Sequence, residues 1–331
     1  MSRVLVVDGM TGQRMQSMIN DDIVDFGSTW SSHKTNEILR MANRLYEGKD
    51  LEAHFASEIA EFDDNVWAWI QARIRAGNFQ DINVGDWIQF VAGGHIVVAE
   101  VAGINTYRNF GNTAVPNHID FISRDCWPET RQWNRVNYNN GIAAMTTPFL
   151  ASDIFHWLNG LAGQVPNDAT ATMTQNPTPA GSLVAVDYTV TGMLPRLPAA
   201  LRAVIIQKRE LMPRRFSAGI LLTNSNNWDW RDGGFLWLPS EFEVCGAGVW
   251  GNVDSPIQGN DKFGAVQYPL FATNIPKRSK GLGHGGTRTG WWFSSPRGGN
   301  SSHSTLVGNH GHASHLNTSG ASCVPVCFRI A

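Results

Sequence analysis

The chain has 331 residues, 42% hydrophobic and 16% charged, with 33 Gly, 13 Trp and a formal net charge of −2. That length carries one large domain or two modest ones, and the charge lies well under the roughly 25% of an ordinary soluble domain. The balance lacks the basic excess of a nucleic-acid binder, and no apolar run reaches the roughly 20 residues that span a bilayer.

The opening stretch, MSRVLVVDGMTGQR, has no cationic head followed by a long apolar run, so synthesis without a secretion signal is expected. Residues 1–78 read as a helical region for oligomerisation or attachment. After Val4, Leu5, Val6 and Val7, residues 34–46 place Ile38, Leu39, Met41, Ala42 and Leu45 at helical spacing. Leu51, Phe55, Ile59 and Phe62 keep an i, i+4 rhythm. A third helix, capped by Asp63 or Asp64, carries Val66, Trp69, Ile70 and Ile74 and stops at Gly77.

From about residue 80 the pattern changes to short strands. Trp87 to Val91 and His95 to Val101 flank Gly93-Gly94 and predict a hairpin, and Ile119 to Ile122 predict a third strand. Ser152 to Asn159 predicts a short helix. Pro198 starts another that runs to Ile206. Between them, residues 164–192 are rich in Pro, Thr, Ala and Asn and read as a surface insertion or hairpin extension. Most of the Trp follow residue 80, which suits a loop-rich binding fold framed by large aromatics.

The far end is the most biased segment. Residues 298–328 contain no Asp, Glu, Lys or Arg, an outcome with a chance of about one in several thousand at ordinary composition. Residues 298–320 are almost wholly Asn, Ser, His, Thr and Gly, which exchange hydrogen bonds without a fixed charge, as adaptable binding surfaces do. Such a surface predicts little electrostatic steering and a weak salt dependence of binding. A zinc site would use His310 and His312 with His315 or His303, but no carboxylate nearby would orient the rings, so no metal is expected.

Other chemistry-bearing residues have plainer readings. Cys126, Cys245, Cys323 and Cys327 are too few and scattered for a disulfide framework. Cys323 and Cys327 lack a local acid to complete a nucleophile and read as buried packing. Glu241 and Glu243 alternate onto one strand face, where a charged edge is a simpler role than an acid pair.

The C-terminal stretch WWFSSPRGGNSSHSTLVGNHGHASHLNTSGASCVPVCFRIA resembles the variable region of C-type lectin-fold proteins diversified by retroelements, among them phage receptor-binding tail proteins. It also resembles the end of the formylglycine-generating-enzyme-like version of that fold. Arg297-Gly298-Gly299 stands at the Arg-Gly-Gly turn that precedes the display segment there. Cys327-Phe328-Arg329-Ile330 stands at the closing Gly-Phe-Arg strand, with Cys327 departing from the usual Gly. Upstream, GNFQDINVGDWI, ASDIFHWLN and LWLPSEFEVCG resemble a module of gut-bacterial prophage proteins, so the resemblance covers residues 77–331.

The resemblance implies an α+β chain: an N-terminal helical segment over residues 1–78, then a C-type lectin-like domain with short strands and long loops over residues 79–331, ending in a variable region at 291–331. In such relatives mutagenesis falls on adenines, mainly in Asn-type codons, which never become Lys, Glu, Gln, Met or Trp; residues 298–320 hold none of these five types. The implied ligand-binding residues are Trp291, Trp292, Asn300, Ser301, Ser302, His303, Ser304, Thr305, Asn309, His310, His312, Ser314, His315, Asn317 and Ser319, with the two Trp as fixed frame. The implied function is attachment of a phage tail to a bacterial cell-surface receptor, protein or glycan, by a homotrimer of the virion that uses no cofactor. Two alternatives are a thiol oxidase of the formylglycine-generating type and a structural virion protein without a receptor.

Overall fold

The computed structural model describes residues 46–108, 113–142, 147–167, 183–214, 228–251, 266–298, 300 and 302–331. The apolar start and nearly all of the helix expected at residues 34–46 lie outside these. One compact unit spans Gly48–Ala331.

Its first elements are the short helices α1 (Leu51–His54) and α2 (Ala56–Ile59), a 3-10 turn at Ala60–Phe62, and α3 (Val66–Arg75). The side chain of Asn65, not Asp63 or Asp64, caps α3 by accepting from the N–H groups of Trp67 and Ala68. A capping residue needs extended backbone, whereas both aspartates sit at φ 56° and reverse the chain. Leu51, Phe55, Ile59, Trp67, Ile70 and Ile74 are buried in the same core as strand residues Phe90 and Phe328. Trp67 meets those two rings at 5.3 and 5.9 Å. The change of pattern near residue 78 is therefore a change of element inside one core.

Strands β1 (Trp87–Ala92), β2 (His95–Ile104) and β3 (Ile119–Cys126) come next, with Gly93 and Gly94 at positive φ in the expected hairpin turn. They join β7 (Ile205–Ile206) and β16 (Pro325–Ile330) in one sheet of order β1-β2-β3-β16-β7. The C-terminal strand thus lies inside the sheet and is buried on both faces. Val326, Phe328 and Ile330 face the core shared with α3, while Cys327 joins Trp237, Tyr268, Phe271, Trp291 and Phe293 on the other side. Arg329 also points to that side, where its guanidinium grips buried Asp120 through two bonds of 2.6 and 2.8 Å. Ionised groups are tolerated in a core only when paired in this way.

Between β3 and β16 the chain forms β4 (Arg131–Gln132), α4 (Asp153–Asn159), β5 (Ala162–Pro166), β6 (Leu183–Asp187), α5 (Met193–Arg196) and α6 (Ala199–Arg202). The helix expected at Ser152–Asn159 is present as α4, with Ser152 as its cap. Pro198 starts α6, but that helix ends at Arg202, and Ile205 and Ile206 pair instead with Ile330 and Arg329. Two β-branched residues beside an open edge of a buried strand gain more from the ladder than from another helical turn. Paired β5 and β6 bracket the Pro/Thr-rich insertion, so its described ends form a hairpin; residues 168–182 lie outside the described set.

The rest comprises β8 (Arg209–Pro213) with β9 (Trp228–Asp232), α7 (Glu241–Cys245), α8 (Pro269–Thr273), β10 (Lys280–Gly281) with β11 (Arg288–Thr289), then β12 (Trp291–Pro296), β13 (His303–Val307) and β14 (Ala313–Asn317) in a second sheet, and β15 (Ala321–Ser322) paired with β4. The architecture mixes helix and strand, as α+β predicts. No helix among the described residues is long and apolar enough to cross a membrane.

Candidate ligand-binding surface

The second sheet rests on β12. Trp291, Trp292 and Phe293 are fully buried, and successive residues point into different cores: Trp292 with the α3 side, Trp291 and Phe293 with the other. Both indole N–H groups find backbone acceptors, Arg278 O at 2.8 Å and Arg131 O at 2.7 Å. This suits the fixed-frame role and corrects the expectation that either Trp meets a ligand. The same holds for Ser304 and Thr305, which are fully buried; Thr305 donates its hydroxyl to Ser295 O at 2.7 Å.

Strand β13 pairs with β14 so that His303 faces Asn317, Thr305 faces His315 and Val307 faces Ala313. Asn309, His310, His312 and Asn317 are exposed, while Asn300, Ser302, His303, Ser314, His315 and Ser319 are partly exposed. Ser301, a member of the expected set, lies outside the described residues. Gly311 turns the hairpin at φ 82°, and a Cβ at Gly308 would come within 2.4 Å of the His312 ring.

An underlying loop fastens this surface. The buried amide of Asn139 donates from Nδ2 to Asn300 O at 2.8 Å and to His303 O at 2.5 Å, fixing the turn between β12 and β13. Buried Thr318 donates to Val136 O at 2.6 Å and accepts from Tyr138 N at 2.8 Å. Buried donors tied to backbone acceptors in this way hold a surface rigid. Sequence pattern gave no sign of these links because each joins residues more than 150 positions apart.

One cluster was also missed. The indole of Trp250, 37% exposed, meets the His315 ring at 4.5 Å. The Arg297 guanidinium lies over the same indole, 5.1 Å from its centroid, and its Nη1 donates to His315 Nδ1 at 3.3 Å. His303 stands edge-on to His315 at 5.1 Å. Its Nδ1 is 3.0 Å from Asn300 Oδ1, which also accepts from Ser302. Burial, and then the Arg297 charge, push both imidazoles below the ordinary histidine value, so they are neutral at neutral pH.

Those bonds assign the tautomers. Arginine only donates, so His315 Nδ1 is the acceptor and its Nε2 carries the proton. Asn300 Oδ1 only accepts, so His303 Nδ1 carries the proton and its Nε2 accepts. The pair therefore offers one donor and one acceptor to an arriving ligand.

Trp250 is held in place by Glu241. That buried carboxylate accepts from the N–H groups of Val249 at 2.9 Å, Trp250 at 3.0 Å and Gly251 at 2.8 Å. Gly298 N in turn bonds Trp250 O at 2.9 Å, tying the loop to the β12–β13 turn. The strand expected around Glu241 and Glu243 is instead α7, opened by a capping box between Ser240 and Glu243. The two carboxylates have separate partners: Glu243 takes buried Lys208 at 2.5 Å and the Tyr107 hydroxyl. Lys208 also reaches Glu210 at 2.9 Å and sits 4.1 Å from the Trp237 ring centroid.

Cys126, Cys323 and Cys327 are buried together among the aromatics of the second core, as packing predicts. Burial pushes the Cys126 and Cys327 thiols well up, away from the thiolate a nucleophile needs. Among the described residues no three His, Cys, Asp or Glu side chains converge to hold a metal ion. His303 pairs with His315, while His310 stacks on His312 at 6.4 Å.

No family model, curated protein or solved structure matches this chain.

Proposed function

We propose that the chain is a ligand-binding protein whose β12–β13–β14 sheet displays a replaceable polar surface, on a C-type lectin-like fold of the retroelement-diversified kind. One observation carries this reading: within the stretch that lacks Asp, Glu, Lys and Arg, residues 303–317 fold into a hairpin whose turn and second strand hold Asn309, His310, His312 and Asn317 exposed, on a frame of buried indoles. A solvated low-complexity loop has no reason to be bolted down by Asn139 and Thr318. The interior placement of the Phe328-Arg329 strand fits the closing strand that the resemblance implies.

The ligand in this reading is a bacterial cell-surface receptor. The chain serves as a phage-tail adhesin of the virion, attached through its N-terminal region, and homotrimer formation supplies avidity to modest single sites. Saturable binding of the purified full chain to gut-bacterial cells tests this. Cys323→Ser and Cys327→Ser should leave that binding intact, whereas a thiol oxidase would lose its activity. A chain that binds no cell surface would fit a structural virion part instead.

A further inference from the structure

We propose that Trp250, Arg297, His303 and His315 form a subsite for an acidic saccharide, a sugar ring carrying a carboxylate or phosphate. This deepens the reading of the sheet as a ligand-binding surface and rests on it. Arg297 makes no ion pair among the described residues, although it is fixed between an indole and an imidazole. Most other arginines on the described surface, such as Arg73, Arg124 and Arg196, have a carboxylate partner. A guanidinium held in place with no counter-charge among the described residues is prepared for an anion from outside, and its planar fork suits the two oxygens of a carboxylate or phosphate.

The surroundings fit such a ligand. No carboxylate occurs in residues 298–328 to repel an anion. Glu241, which anchors the Val249–Gly251 turn, is buried and committed to three backbone N–H groups. The part of the Trp250 indole left exposed offers apolar surface to the C–H side of a sugar ring. Beside it, His303 Nε2 accepts and His315 Nε2–H donates, the pattern that neighbouring ring hydroxyls complete. Asn300 and Ser302 hold the His303 ring in that orientation. Glu241 acts through Trp250 and is a positioning residue.

Affinity electrophoresis of the full chain tests the proposal, in gels carrying polygalacturonate, its methyl ester, a phosphomannan, or the mannan left after phosphate removal. Retardation is expected from at least one acidic polymer and should be at least about tenfold weaker with its uncharged counterpart. Polygalacturonate alone assigns a carboxylate; phosphomannan alone assigns a phosphate. Arg297→Gln and Trp250→Ala should each lose at least about tenfold in retardation, with Arg297→Lys falling between. Should Arg297→Gln not fold, the comparison of charged and uncharged polymers on the unaltered chain decides. No retardation by either acidic polymer, equal retardation by the uncharged ones, or a folded Arg297→Gln that behaves as wild type overturns the proposal. If Arg297→Gln still binds cells while His303→Ala with His315→Ala does not, the acidic-saccharide chemistry fails and the ligand-binding surface stands. If both variants bind cells as wild type does, both readings fail.

Discussion

Glu241 shows how one buried side chain sets up an exposed one. Three N–H groups of the Val249–Gly251 turn share its carboxylate, and the turn presents Trp250 beside His315. Glu241→Ala leaves those donors unmet in a buried place and should cost about 1–3 kcal/mol in urea unfolding. Glu241→Gln keeps one acceptor oxygen and should recover part of that loss. Glu210 gives a second prediction at this scale. Burial first, with Glu243 adding repulsion, outweighs the attraction of Lys208 and pushes its carboxyl up to about 7. Between the ordinary value of 4.5 and that point the folded chain keeps a proton that the unfolded chain releases. The contribution of Glu210 to stability is therefore complete at low pH and is lost as pH rises through about 7. Unfolding free energies measured across this range should decline with pH, and the decline should flatten in Glu210→Gln.

At the scale of elements, local pattern and distant pairing divide the outcome. The β1–β2 hairpin, β3 and the Ser152-capped α4 were legible because their signals, Gly-Gly between alternating apolar residues and a hydroxyl before an amphipathic run, lie within the element itself. Ile205 and Ile206 misled because their state is decided by Ile330 and Arg329, more than 120 residues away. Glu241 and Glu243 misled because a two-residue alternation looks the same in a strand and at the start of a short helix; Ser240 three places before Glu243 was the capping signal that separates them. The side chain of Asn159 is another distant link: it donates to Leu236 O at 2.8 Å and accepts from Leu236 N at 3.1 Å, as a neighbouring strand would. Asn159→Ala strands both backbone groups in the core, and its unfolding free energy should fall by about 2–3 kcal/mol.

For the whole molecule, the sequence located the polar surface but not what lies under or beside it. A stretch of 31 residues without Asp, Glu, Lys or Arg marks residues 298–328 whatever the fold. Which of its members point outward depends on register, and that is why Ser304 and Thr305 entered the expected set although both are buried. Trp250 went unnoticed and Arg297 was read only as part of a turn, because neither lies in the biased stretch and they meet only through packing. The proposed function divides labour between a buried aromatic frame and an outward polar face that contributes little to folding. Simultaneous replacement of His303, His310, His312, Ser314, His315 and Asn317 by Ala, read by thermal unfolding together with binding to host cells, tests it most directly. The unfolding midpoint should stay within a few degrees of wild type and cell binding should fall at least about tenfold. Cell binding at the wild-type level in that folded variant would contradict it.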